Sequence, residues 1–191
     1  MYDRKQVKLR AKSALHANFG LVFGTIIVGS LIISAGGMVI FGSIVLAGPI
    51  AAGLALVQLS VLRGQDVQFG DMFKGFNNFG TNCGAGVLEA VYIMLWSLLF
   101  WIPGIVKAYS YAMTFYILAD HPEMKANEAI TASRFMMKGH KWDLFVLDLR
   151  FCWWIVLACI SCGLGVIYVE PYMELSRASF YECIKDMPPV Q

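Results

Sequence analysis

Three long apolar runs organise this chain, at residues 18–62, 83–119 and 144–184. Each is about twice the roughly 20 residues that one membrane-spanning helix needs. Each also has a weak middle, at Gly36-Gly37, Pro103-Gly104 and Ser161–Gly163. The pattern therefore predicts three hairpins of two helices. The runs are continuously apolar and rich in Leu, Ile and Ala, without the period-two alternation of a barrel strand. Lipid offers the backbone no hydrogen bonds, so helices are the remaining way across. The fold class read from this is all-α: a polytopic membrane protein with six transmembrane helices in three hairpins and amphipathic surface helices.

The expected layout is a single integral membrane domain over residues 1–191. An amphipathic N-terminal helix covers 1–17 and hairpin 1 covers 18–62. A cytoplasmic loop at 63–82 leads to hairpin 2 at 83–119. A cytoplasmic amphipathic loop at 120–142 leads to hairpin 3 at 143–185, and 186–191 form a tail.

In the N-terminal helix, Val7, Leu9, Ala11, Ala14 and Leu15 make a rough apolar stripe opposite the cations, which suits the headgroup layer. Phe69, Phe73 and Phe76 recur at helical spacing and predict a short helix on the cytoplasmic surface with its rings in the membrane. Ala126, Ala129, Ile130, Ser133 and Met137 share one face of a second surface helix, and Trp142 suits an interfacial anchor. Gly20 and Gly24 have G-x-x-x-G spacing, read either as close packing or dimerisation, or as the ordinary glycine content of membrane helices. Expected helix breaks are Gly48, Pro49, Pro103, Gly104 and Pro171. Asn18-Phe19, Asn78-Phe79 and Lys141-Trp142 each begin a span after a basic stretch, with Pro49, Tyr109 and Pro171 about 30 residues further on. These marks predict a pseudo-threefold repeat of surface helix plus hairpin.

Composition agrees with this reading. The 191 residues are 58% hydrophobic and 15% charged, against about 25% charged in soluble domains, and mean hydropathy is +0.63. Net charge is only +2, but its placement is informative. Arg4, Lys5, Lys8, Arg10 and Lys12 precede the first run. Arg63 and Lys74 separate the first two runs, and Lys125, Arg134, Lys138 and Lys141 the last two. The hairpin turns carry none. By the positive-inside rule both termini and both long loops face the cytoplasm. The first run is expected to act as an uncleaved anchor, since no cleavage site follows it.

The chemistry is sparse. No phosphate-cradling glycine loop, H-E-x-x-H or G-x-S-x-G occurs, so no enzyme, metal site, cofactor or nucleic-acid partner is expected. Cys159 and Cys162 form C-x-x-C near an outer turn, as small packing residues or as a disulfide on the oxidising side. Charges inside spans cost a few kcal/mol each and are usually paired or line a cavity. Lys107 and Glu170 lie about 6 and 10 Å past their turns at 1.5 Å per residue, which predicts a pair between spans four and six. A deeper group comprises Glu89, Asp148, Arg150, Glu174 and Arg177. Glu174 and Arg177 are three apart and meet on one face. Asp148 and Arg150 are two apart, so at least one reaches elsewhere, toward the sixth span. The functional expectation is a polar cavity, open inward, that binds or moves an amphiphile: a lipid, peptide or small solute. The competing expectations are purely structural ion pairs, or an interaction subunit or immunity-type protein that acts through surface helices and oligomer contacts. Expected partners are membrane lipids and a second copy or another membrane protein.

The stretch L-W-S-L-L-F-W-I-P-G-I-V-K-A-Y-S-Y-A-M-T-F-Y-I-L-A-D from Leu95 to Asp120, with E-A-I-x-x-S-R-x-M-M-K-G-H-K-W ending at Trp142, resembles the domain-of-unknown-function 975 family. The resemblance extends to the basic start, Gly48-Pro49, Arg63-Gly64, Phe73-x-x-Phe76 and Pro171-Tyr172. The cysteines near the last turn depart from it. It implies a small bacterial integral membrane protein and brings no activity with it.

Overall fold

The computed structural model describes the backbone of residues 4–36, 40–99, 101–160 and 166–186. Within these, it describes all side chains except 4–10, 15–17, 32–36, 40–44, 99, 101, 102, 155–160 and 166–168. The turns at Gly36-Gly37 and Ser161–Gly163, the Cys159 and Cys162 side chains and the tail lie outside that description.

The described residues form eight α-helices and no strand: α1 (Arg4–Gly36), α2 (Ile40–Leu62), α3 (Phe79–Leu99), α4 (Trp101–Tyr111), α5 (Thr114–Asp120), α6 (Ala126–Met136), α7 (Lys141–Ile160) and α8 (Val166–Ile184). A 3-10 helix, Phe69–Phe76, joins α2 to α3. The three repeat marks fall at structural boundaries. Asn18 leaves helical geometry inside α1, at φ −130° and ψ 31°, α3 begins at Phe79 and α7 at Lys141.

One described stretch, Val45–Leu62, is long and apolar enough by itself to cross a membrane. α4 and α5 have 11 and 7 residues, about 16 and 10 Å long, so neither spans alone. α7 and α8 carry charges along their length. The all-helical class therefore stands, and six spans do not follow from the helices alone.

The expected helix breaks are corrected. Gly48 and Pro49 lie inside the continuous α2, and Pro171 inside the continuous α8. In hairpin 2, α3 runs to Leu99 and α4 from Trp101, with residue 100 between them outside the description, and Pro103 lies inside α4. Gly104 serves packing instead: a Cβ there would come within 2.3 Å of the Ser97 hydroxyl on α3. A break that the sequence did not suggest separates α4 from α5 at Ala112-Met113.

Both long loops fold back against the helices. The 3-10 helix docks along the middle of α2, through Met72 and Gly75, which are buried. Backbone meets backbone there: a Cβ on Gly53 would be 1.8 Å from the Met72 carbonyl oxygen, and one on Gly75 2.1 Å from that of Pro49. Asn82 Nδ2 donates to the Gly75 carbonyl at 2.6 Å. Phe69 and Phe73 are left half exposed, so the expected surface helix exists but is anchored on protein. The Phe69 ring lies over Gly24, while nothing comes within 4 Å of Gly20. The Gly24 half of the G-x-x-x-G face is therefore covered from within the chain.

α6 packs on α3 and α5, with Ala129, Ile130 and Ser133 buried as its sequence face requires. Two apolar cores result. One joins α2, α5, α6, α7 and α8 around Leu59, Met113, Met137, Phe151 and Phe180. The other joins α1, α2, the 3-10 helix and α8 around Val22, Val57, Met72 and Leu175. Large exposed apolar side chains gather in the C-terminal halves of α1, α3 and α7 and the N-terminal half of α4. Leu31, Leu98, Ile105 and Trp153 are among them, Leu98 at 80% and Trp153 at 69% exposure.

Candidate functional site

Polar side chains from five helices meet inside this apolar framework. Arg177 on α8 grips Asp148 on α7 with two hydrogen bonds, Nε to Oδ1 at 3.1 Å and Nη2 to Oδ2 at 2.9 Å. Tyr109 of α4 donates to the same carboxylate at 3.1 Å. On its other side Arg177 lies 3.7 Å from Glu174. Glu174 accepts from Gln58 Nε2 of α2 at 3.2 Å, and the Gln58 carbonyl accepts from the Tyr116 hydroxyl of α5 at 2.8 Å. One chain of contacts thus runs from α4 through α7, α8 and α2 to α5. It uses bidentate arginine geometry, the strongest form of such a pair.

A cavity of about 320 Å³ opens beside this chain. Ile26, Leu54, Ala55 and Phe115 give it an apolar wall. Gln58, Tyr116, Glu170, Glu174 and Arg177 give it a polar end. With Asp148 already engaging Arg177, that end carries a surplus of carboxylate. Glu170 faces it with no hydrogen bond or ion pair among the described residues.

The sequence candidates therefore divide. Asp148, Glu174 and Arg177 come together, and Asp148 reaches across to α8 as its spacing with Arg150 required. Arg150 itself is exposed on α7. Glu89 sits apart on α3, with carboxylate Oε2 buried and unbonded among the described residues. The Lys107–Glu170 pair does not form. Lys107 Nζ lies 4.5 Å from the centre of the Trp96 ring, a cation–π contact, and opens into a different pocket beside Arg134, Lys138 and Lys141. α4 leans on α3, α6 and α7, and its one cation meets Trp96 of α3 and the cations beside α6 and not Glu170 of α8.

Sequence reasoning missed Gln58, Tyr109, Tyr116 and Ser133. Gln58 was the available signal, as an amide within the most apolar helix.

A second polar cluster closes the C-terminal ends of α2, α5 and α8, next to the first, with the Tyr116 and Tyr181 rings stacked 5.6 Å apart. Gly64, at φ +69°, turns the chain after α2, a left-handed position that suits glycine. Arg63 just before it bridges Asp120 at 2.7 Å and Glu182 at 2.5 Å. The Tyr181 hydroxyl donates to Asp120 at 3.1 Å, and Lys185 pairs with Glu182 at 2.8 Å. Burial pushes the Asp120 carboxyl up, but the Arg63 hydrogen bond and charge, with Tyr181 and Lys185, outweigh it. The net result is a pKa below the usual carboxylate range.

Among the described residues, no group of three or more His, Cys, Asp and Glu side chains is placed to hold a metal ion. Residues 101–187 match the model of a family described as protein of unknown function (DUF975), the family that the central motif resembles. Gly48-Pro49, Arg63-Gly64 and Phe73-x-x-Phe76 lie outside the matched stretch. No curated protein and no solved structure matches the chain.

Proposed function

We propose that this is a multi-pass protein of a bacterial cytoplasmic membrane that binds or moves an amphiphile and catalyses no reaction. The observation that carries the proposal is the cavity beside Gln58, Glu174 and Arg177, with one apolar wall and one acidic end. An acyl chain or apolar side chain suits Ile26, Leu54 and Phe115. A head with hydrogen-bond donors or a positive charge suits Glu170 and Glu174.

The membrane part of the proposal includes six spans in three hairpins, with both termini cytoplasmic. Its support is the arrangement of the surface. Exposed Leu31, Leu98 and Trp153 lie in the C-terminal halves of α1, α3 and α7, with aromatic Phe69, Phe73, Phe135 and Trp142 exposed beside the loops, and the Arg63–Asp120–Glu182 cluster lies at the C-terminal ends of α2, α5 and α8. α4 and α5 together would form one broken span, with its freed backbone groups buried in protein as lipid requires.

Native mass spectrometry of detergent-purified protein tests the cavity. The expected result is a retained amphiphile that Glu170→Gln weakens by about tenfold, the scale of one charge-assisted hydrogen bond, with unchanged melting. Retention that is indifferent to Glu170→Gln and to Gln58→Leu sinks the cavity reading and leaves a structural network. Cysteines placed at the exposed Lys12 and Glu123 test topology: labelling of either from outside intact cells refutes it.

A further inference from the structure

The pocket that holds Lys107 is lined by charge of one sign. Lys107 of α4, Arg134 of α6, Lys138 and Lys141 line it together with the hydroxyl residues Ser110 and Thr131, around a volume of about 380 Å³. No carboxylate lines it, and none of the four cations is in an ion pair among the described residues. Four other cations, Arg63, Lys74, Arg177 and Lys185, touch carboxylates. The convergence is close enough to be felt. Burial lowers the Lys141 pKa, and the positive charges of Lys107 and Arg134 lower it further. Four like charges brought together without a counter-charge cost free energy unless an anion joins them.

The surroundings indicate which anion. Lys107 follows Ile105 and Val106, both exposed, and rests on Trp96. Phe135, in the pocket lining, and Trp142, next to Lys141 in the chain, are 62% and 69% exposed, and the Trp142 ring packs 5.2 Å from Phe145. Apolar surface, aromatic rings and unpaired cations thus meet along one line, the arrangement found where protein crosses the headgroup layer.

We propose that this pocket binds the phosphate of an anionic membrane lipid, with Lys107, Arg134, Lys138 and Lys141 around the phosphate and Phe135 and Trp142 beside the glycerol and upper acyl chain. Arg134 offers a planar fork suited to two phosphate oxygens, and the lysines offer point charges. This rests on the membrane reading above but not on the amphiphile cavity, which shares no lining residue with this pocket and carries the opposite charge.

The test is a titration of the full chain in neutral detergent, by native mass spectrometry. The probes are short-chain phosphatidylglycerol, short-chain phosphatidylcholine and inorganic phosphate. Saturable binding of phosphatidylglycerol, at least tenfold tighter than of the other two, is expected. Each cation near an anionic headgroup contributes roughly fivefold, so Arg134→Gln with Lys138→Gln should weaken that binding about twenty-five-fold. Both residues are exposed, so folding should survive, and an unchanged melting midpoint checks this. Lys12→Gln, also an exposed cation, should change binding less than twofold. Equal binding of both lipids, indifference to the double substitution, or inorganic phosphate binding as tightly as the lipid would overturn the proposal. A chain that needs no detergent overturns the membrane reading instead.

Discussion

Gly53→Ala should be among the most damaging single-methyl additions to this molecule. The added Cβ would stand 1.8 Å from the Met72 carbonyl oxygen and 2.9 Å from its carbon. Ordinary carbon–oxygen contact begins near 3.3 Å, so the 3-10 helix would have to retreat by about 1.5 Å. The obstacle is backbone, which cannot rotate aside as a side chain can. Overpacking of this kind costs about 1–3 kcal/mol. Retreat would also uncover part of Met72, now 1% exposed, whose full burial is worth about 1.5–3 kcal/mol. The gain from alanine over glycine in a helix returns about 1 kcal/mol. The net expectation is a loss of about 1–4 kcal/mol. Equilibrium unfolding in mixed detergent micelles reads it directly. Gly70→Ala on the same 3-10 helix, where nothing lies within 4 Å, should stay within about 0.5 kcal/mol of the parent. A Gly53→Ala protein as stable as Gly70→Ala would refute the docking of this segment on α2.

Three further outcomes follow from the polar clusters. Arg63→Gln should cost about 1–2 kcal/mol near neutral pH, the range for hydrogen bonds to a charged group discounted for its partial exposure, measured as a shift in thermal midpoint. Its pH dependence has a fixed sign. The folded-state pKa of Asp120 lies below its unfolded value, so its contribution is complete above the ordinary carboxylate range and fades as pH falls through the folded value. The gap between parent and Arg63→Gln should therefore close on acidification below about pH 4, and a gap that widens there refutes the assignment. Asp148→Asn, which leaves the Arg177 guanidinium with Glu174 at 3.7 Å, should cost about 2–4 kcal/mol, and the double change Asp148→Leu with Arg177→Met should recover much of it; unfolding curves for the three proteins decide.

The periodic features of the chain were legible because they are local. Asn78-Phe79 and Lys141-Trp142 mark helix starts, Asn18 marks the kink in α1, and the α6 face from Ala126 to Met137 packs as its spacing requires. The proline readings failed for a reason of context. A helix tolerates Pro49 or Pro171 where neighbouring elements hold it on several sides, and sequence alone does not display those neighbours. The spacing of Phe69, Phe73 and Phe76 predicts a helix on the membrane surface and is silent about its glycines. Gly75 in fact meets Gly53 and Pro49 from another element, and no window of sequence contains both partners. At the candidate site, Asp148, Glu174 and Arg177 were legible as costly charges. Gln58 and Tyr116, which link that triad to two more helices, carry no charge and were passed over. Lys107 was matched to Glu170 on depth alone, and depth says nothing about which side of a helix a residue occupies.

Ser133 has a consequence out of proportion to its size. Its hydroxyl donates to the Ser110 carbonyl at 3.0 Å and accepts from the Met113 amide at 3.3 Å. Those are backbone groups left over where α4 stops and α5 starts. One side chain of α6 therefore works as a splint across a fracture. On one flank of that fracture lie Lys107 and Ser110, and on the other Phe115 and Tyr116. Without that hydroxyl, a carbonyl and an amide at the joint would lose their side-chain partner at a position where Ser133 is fully buried and water does not reach.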